Sequence, residues 1–170
     1  MSEVFVNKVA ESGIITLDLE KFYPKESIEI FDLKDYLFMG LILKEKDFRA
    51  SLQNVDWSIY ANKNVGIICS TDAIIPVWAY MLVAAYLQPV AHFVSTGNKE
   101  QIIEQILQLK INNLSIEEYI DKRVVIKGCG DIAIPETAYT AITFKLRPVV
   151  KSIMYGEPCS TVPVYKKKNN

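Results

Sequence analysis

The sequence predicts an α/β fold, a mostly parallel sheet of about four strands with helices on both faces, plus an N-terminal strand and helix extension. Three observations carry that expectation. From Asn64 onward, short branched apolar runs alternate with helix-length segments. The helical segments place apolar residues at helical spacing, as Ile102, Ile103, Ile106 and Leu107 do. Proline, glycine and hydroxyl-bearing residues punctuate each change of pattern.

Taken in order, the strands of the core are Asn64–Cys69, Val90–Ser95, Arg123–Lys127 and Ser152–Tyr155. Helices are expected over Ala73–Leu87, with Pro76 in the first turn and Ser70-Thr71-Asp72 as caps, over Lys99–Lys110 and over Pro135–Leu146. The N-terminal part offers strands at Gly13–Leu17 and Ser27–Phe31 and a helical charge pattern over Lys44–Leu52. Leu37–Leu43 is apolar and is assigned to the core, with a subunit interface as its alternative. The 170 residues read as one α/β domain: residues 1–62 an extension packed on a βαβ core at 63–165, and 166–170 a frayed tail. No internal repeat or low-complexity tract is evident.

Composition narrows the function. Half of the residues are hydrophobic and 23% are charged, which is globular rather than disordered. A net charge of −1 leaves no basic field for nucleic acid, and Trp57, Trp78 and the tyrosines are expected to pack the core rather than stack bases. No basic and apolar leader opens the chain, and the uncharged Ala73–Leu87 stretch is short of the roughly 20 residues of a span. A cytoplasmic protein with free thiols and no membrane contact is expected. Phosphate-binding glycine motifs are absent, so no nucleotide cofactor is expected.

The three cysteines carry the chemistry. Cys69 ends one strand, Cys129 follows another by two residues, and Cys159 follows the last by four. In a single parallel sheet with right-handed crossovers, all three thiols share the carboxyl edge, where such sheets bind ligands. Three thiols suit one Zn or Fe ion, with Ser70, Asp72, His92, Asp131 or Glu157 lining the site or supplying a fourth ligand. For the carboxylates and Ser70 the competing reading is a turn or cap, and for His92 a strand or core side chain. The same thiols also suit sulfur or acyl transfer, with Cys69 or Cys159 as nucleophile and Lys127 near Cys129. A non-catalytic interaction module, its cysteines packed, is the third reading.

The segments Cys69–Met81 (CSTDAIIPVWAYM), Lys127–Cys129 and Ser152–Pro163 (SIMYGEPCSTVP), with Phe31–Arg49, resemble a family of uncharacterised bacterial proteins, domain of unknown function 2480. The resemblance covers nearly the whole chain. Members of that family are often encoded beside iron–sulfur cluster assembly proteins. It therefore implies metal, iron or sulfur handling, an accessory role in iron–sulfur metabolism, and assembly proteins as partners. It assigns neither a fourth ligand nor a catalytic role. Homo-oligomerisation is a further expectation, left open by the Leu37–Leu43 segment.

Overall fold

The computed structural model describes residues 13–128, 130–157 and 160–168. Seven strands and four α-helices are present among them, in a mixed α/β arrangement whose pairings are mostly parallel. The strands are β1 (Ile14–Asp18), β2 (Ile28–Asp32), β3 (Asn64–Ile68), β4 (Phe93–Thr96), β5 (Arg123–Lys127), β6 (Ser152–Glu157) and β7 (Ser160–Lys166). The helices are α1 (Glu45–Gln53), α2 (Val77–Leu87), α3 (Lys99–Asn112) and α4 (Glu136–Leu146).

The strands form two sheets rather than one. One has four strands in the order β1-β5-β6-β7, and the other has three in the order β2-β3-β4. Every pairing is parallel except β6–β7. The chain accordingly clusters into two compact units, residues 24–105 and residues 1–23 with 106–170. The periodic signal that marks each strand carries no information on which sheet it joins.

The two units repeat each other, which corrects the expectation of no repeat. A shift of 59 positions lays Val65 on Val124, Ile67 on Ile126, Pro76 on Pro135, Tyr80 on Tyr139 and Leu87 on Leu146 without a gap. Backbone detail follows the same register. Asn62 N–H donates to the Val90 carbonyl at 2.9 Å, as Asp121 N–H does to Val149 at 2.8 Å. Both donors sit in left-handed backbone, with φ of 58° and 55°. The initial strands correspond too. Asp18 and Asp32 end β1 and β2, and each accepts the N–H two residues on, from Glu20 (3.1 Å) and Lys34 (3.0 Å), opening a 3-10 turn.

Cores match residue by residue. In the three-stranded unit Leu33, Phe48, Leu52, Val65, Ala79, Val83 and Leu87 are fully buried. Their counterparts Leu19, Leu107, Ile111, Val124, Ala138, Ile142 and Leu146 are fully buried in the other. Burying each large side chain stabilises by about 1.5–3 kcal/mol, so these positions tolerate only apolar residues. Elsewhere the pairs diverge freely, which hides the repeat from composition.

Other expectations are corrected locally. Helix α2 starts at Val77, not Ala73, because Pro76 occupies its N-cap and holds extended backbone (ψ 140°); Pro135 does the same for α4. Ser70 and Asp72 therefore cap nothing there. The 37–43 segment is not mainly core: Phe38, Met39, Leu41 and Ile42 are exposed and only Leu43 is buried. Phe38 and Ile42 bridge across a tip formed by Met39 and Gly40, both at positive φ. His92 precedes β4 rather than lying within it. Strand β7 was not expected; it is the edge strand of its sheet, where a proline such as Pro163 is tolerated. Lys166 closes that strand, and Lys167 N–H donates to the Lys151 carbonyl at 3.0 Å, so the chain is tied down past the expected start of the tail.

Candidate functional site

The carboxyl edge of the four-stranded sheet gathers charge. Strands β1, β5 and β6 are parallel neighbours, and they end in Asp18, Lys127 and Glu157. The Lys127 ammonium lies 3.6 Å from Asp18 Oδ2 and 3.5 Å from Glu157 Oε1. Glu157 first and Asp18 second push the lysine pKa above its ordinary value. Just past β5 the Gly130 N–H donates to Glu20 Oε1 at 2.5 Å. A Cβ at Gly128 would stand 2.5 Å from the Tyr139 hydroxyl, so a larger residue there requires the tyrosine to shift.

Beside this edge runs a groove of about 1020 Å³ between the outward face of α4 and strands β6 and β7. Ile126, Ile134, Tyr139, Phe144, Met154, Tyr155 and Val164 line it, with Glu136 near one end of α4 and Arg147 just beyond the other. Tyr139 and Tyr155 meet edge to face, with centroids 5.7 Å apart. The Arg147 guanidinium lies over the Tyr165 ring at 5.1 Å. Two departures from the other unit make this groove. Gly128, Gly130 and Ala133 stand where that unit has the larger Cys69, Thr71 and Ile74, and β7 supplies a wall through Val164.

Cys69 belongs to the three-stranded unit. It follows β3, is half-buried, and its thiol donates to the Thr71 carbonyl at 3.5 Å. The neighbouring Ser70 N–H donates to Asp32 Oδ1 at 3.0 Å. Burial pushes the Asp32 carboxyl up, but the Ser70 hydroxyl, the N–H groups of Lys34 and Ser70, and the Lys34 charge outweigh it and hold Asp32 below the ordinary value. Asp72 and Asp131 are exposed at equivalent positions of the two units. His92, at the amino end of β4, has Nε2 3.9 Å from Glu26 Oε2, whereas Cys69 follows the carboxyl end of β3.

Cys129 and Cys159 lie outside the described residues. In the chain they follow Gly128 and Pro158 and so adjoin β5 and β6, while Cys69 adjoins a strand of the other sheet. A single edge gathering three thiols requires one sheet, whereas the strands form two. Among the described residues no three His, Cys, Asp or Glu side chains group to hold a metal ion. Of the expected site residues, Glu157 is the one described within the charged cluster. The reading of the sequence missed Asp18, Glu20 and the groove. Among the described residues no helix is long and apolar enough to cross a membrane.

Comparison with known proteins gives one result. No curated protein and no solved structure matches the chain. A family model described as Protein of unknown function (DUF2480) matches residues 3–167, and the chain belongs to that family.

Proposed function

We propose that the four-stranded unit is a binding module for an elongated, largely apolar molecule with an anionic head. The groove is the observation that carries this reading. Its volume, about 1020 Å³, is at the upper end for small-molecule sites, and its walls are mainly aliphatic and aromatic. Thr140 and Thr143 lie between the charged ends, and Arg147 offers the forked donor that suits a carboxylate or phosphate.

The test titrates the folded protein with the anionic fluorophore anilinonaphthalene sulfonate, displaced by laurate and, in parallel, by dodecanol. Phe144 is 87% exposed, so Phe144→Glu leaves the core intact while setting a carboxylate in the groove. That variant is expected to weaken the fluorophore and both displacers at least tenfold, equivalent to about 1.4 kcal/mol. Arg147→Ala weakens laurate and spares dodecanol. Fluorophore binding that is absent, or indifferent to Phe144→Glu, overturns the reading.

A second reading rests on the cysteines. One Zn or Fe ion held by Cys69, Cys129 and Cys159 would give an accessory factor in iron–sulfur metabolism, and a lone activated thiol at Cys69 or Cys159 would give a transfer enzyme. The observation in its favour is the Lys127 ammonium beside Glu157, close in the chain to Cys129 and Cys159, because a nearby cation favours thiolate. Metal content and free-thiol count after anaerobic purification decide it. About one equivalent with protected thiols supports the metal form. One thiol alkylated far faster than the others supports the enzyme, and three slow, free thiols with no metal overturn both.

A further inference from the structure

Helix α4 returns the chain from the carboxyl edge of the four-stranded sheet to its amino edge, as the crossover between parallel β5 and β6 requires. Glu136 therefore marks the carboxyl end of the groove and Arg147 its amino end. At the amino edge the lysines of three neighbouring strands line up. The Lys151 N–H donates to the Lys122 carbonyl at 2.7 Å, and the Lys167 N–H donates to the Lys151 carbonyl at 3.0 Å. Adjacent strands lie about 4.8 Å apart, so the row spans about 10 Å. All three lysines are exposed.

This row continues the groove's own face of the sheet. Carried one residue past each strand, the alternation of side chains puts Lys122 on the face of Ile126, Lys151 on that of Ile153, and Lys167 on that of Tyr165. Ile126 and Ile153 line the groove, and Tyr165 has the Arg147 guanidinium over its ring. Lys151 and Lys167 stand one same-face step, about 7 Å, beyond Ile153 and Tyr165. Among the described residues Lys122, Lys151 and Arg147 form no ion pair, and Lys167 meets Asp121 at 3.2 Å. The other unit treats the same positions differently. Lys63, in place of Lys122, pairs with Glu29 at 3.2 Å, where β1 has Ile15; His92 replaces Lys151, 3.9 Å from Glu26, and Gln88 replaces Arg147. The equivalent edge thus forms without an unpaired lysine.

We infer that the groove takes a long-chain phosphate ester, its head held between Arg147 and the Lys122–Lys151–Lys167 row and its chain running toward Glu136. This names the head group of the ligand and rests on the reading of the groove as a site for an elongated apolar molecule. The carboxyl end of α4 carries about half a unit of negative charge, so Arg147 alone leaves little attraction for an anion there. The lysine row reverses that balance. A carboxylate brings one charge, and a single arginine fork satisfies it. A phosphate ester carries about −1.5 to −2 at neutral pH and three acceptor oxygens, which suits donors converging from several strands. Glu136 repels an anion from the far end and so fixes which way the ligand lies.

Displacement of anilinonaphthalene sulfonate from the full chain tests it, with dodecyl phosphate, laurate and dodecanol as displacers of one chain length and inorganic phosphate as the head alone. Dodecyl phosphate should displace at least tenfold more tightly than laurate, and inorganic phosphate far more weakly than either. The double variant Lys122→Gln with Lys151→Gln changes two exposed side chains and should keep the parent's circular dichroism and unfolding midpoint. It should cut the phosphate-over-laurate ratio at least threefold and spare dodecanol; any loss of fluorophore affinity cancels in that ratio. Lys122→Arg with Lys151→Arg should retain the ratio. Laurate equal to dodecyl phosphate, a ratio that the glutamine variant leaves intact, or inorganic phosphate as tight as dodecyl phosphate overturns this inference while dodecanol displacement still upholds the groove. No displacement by dodecanol, with Phe144→Glu indifferent, overturns the groove reading and this inference with it.

Discussion

Gly66 is the position where the two units make opposite demands on one residue. It sits in the middle of β3, opposite Ser95 of β4, and its counterpart in the other unit is the fully buried Val125. A Cβ at Gly66 would stand 2.3 Å from the Gly97 carbonyl oxygen and 3.0 Å from side-chain atoms of Ile102 and Ile30. The side chains can shift, but the Gly97 backbone cannot do so freely. Its N–H donates to the Ile67 carbonyl at 3.1 Å, and its φ is 132°. In the other unit the matching Gly156 lies within β6. Gly66→Ala should cost about 1–3 kcal/mol for overpacking and about 1 kcal/mol for the strained bond, less about 0.4–1 kcal/mol for the stiffer unfolded chain. The net expectation is a loss of about 1–3 kcal/mol, read as a fall in the urea midpoint at unchanged slope. A variant within 0.5 kcal/mol of the parent would refute the close approach of Gly97 to β3, and with it the account of why the units differ there.

Other outcomes follow from the same geometry. Phe48, fully buried between Tyr36 (centroids 5.4 Å) and Trp78 (6.1 Å), should cost about 3–5 kcal/mol as Phe48→Ala in chemical denaturation. Asp32→Ala should cost about 1 kcal/mol at pH 7, because it frees the Lys34 and Ser70 N–H groups. The Asp32 pKa is depressed on folding, so its contribution is present above the ordinary value of 3.8 and lost as pH falls through the lower folded value; the variant's acid-unfolding curve should be flatter there. The Lys127 pKa is raised, so its pairing is complete at neutral pH and is lost only as pH rises through a folded value above 10.5. Heteronuclear NMR of the Lys127 ε-methylene should show Glu157→Gln lowering that titration more than Asp18→Asn does.

The elements were legible where local pattern decides them. The β3 and β5 runs and the ends of α2 and α4 at Leu87 and Leu146 follow from branched apolar stretches and helical spacing. Helix starts were misread because Pro76 and Pro135 serve equally well inside a first turn and at an N-cap, and only backbone geometry separates the two. Strand β7 contains Pro163, and a proline is tolerated in a strand only where it lies at an edge or bulge, which is a property of the sheet and not of the run itself. Sheet membership is a long-range property, and nothing in the runs at 64–68 and 123–127 reveals that they pair with different neighbours. The shared edge expected for the cysteines depended on that missing information.

The repeat turns one chain into its own control. Positions that the fold requires are filled alike in both units: Leu19 and Leu33, Val65 and Val124, Ala79 and Ala138, Leu87 and Leu146. At the carboxyl edges the units part. Ile68 faces Lys127 across the alignment, Ser70 faces Cys129, Thr71 faces Gly130, and Asn98 faces Glu157. None of these substitutions is needed to bury a core, since the other unit reaches the same core without them. Lys127, Glu157 and two glycines absent from the other unit stand near one carboxyl edge, beside a groove that β7 helps to wall. The three-stranded unit diverges in the opposite direction, toward an apolar outward helix face. Two copies of one fold thus carry different surfaces on an equivalent buried frame.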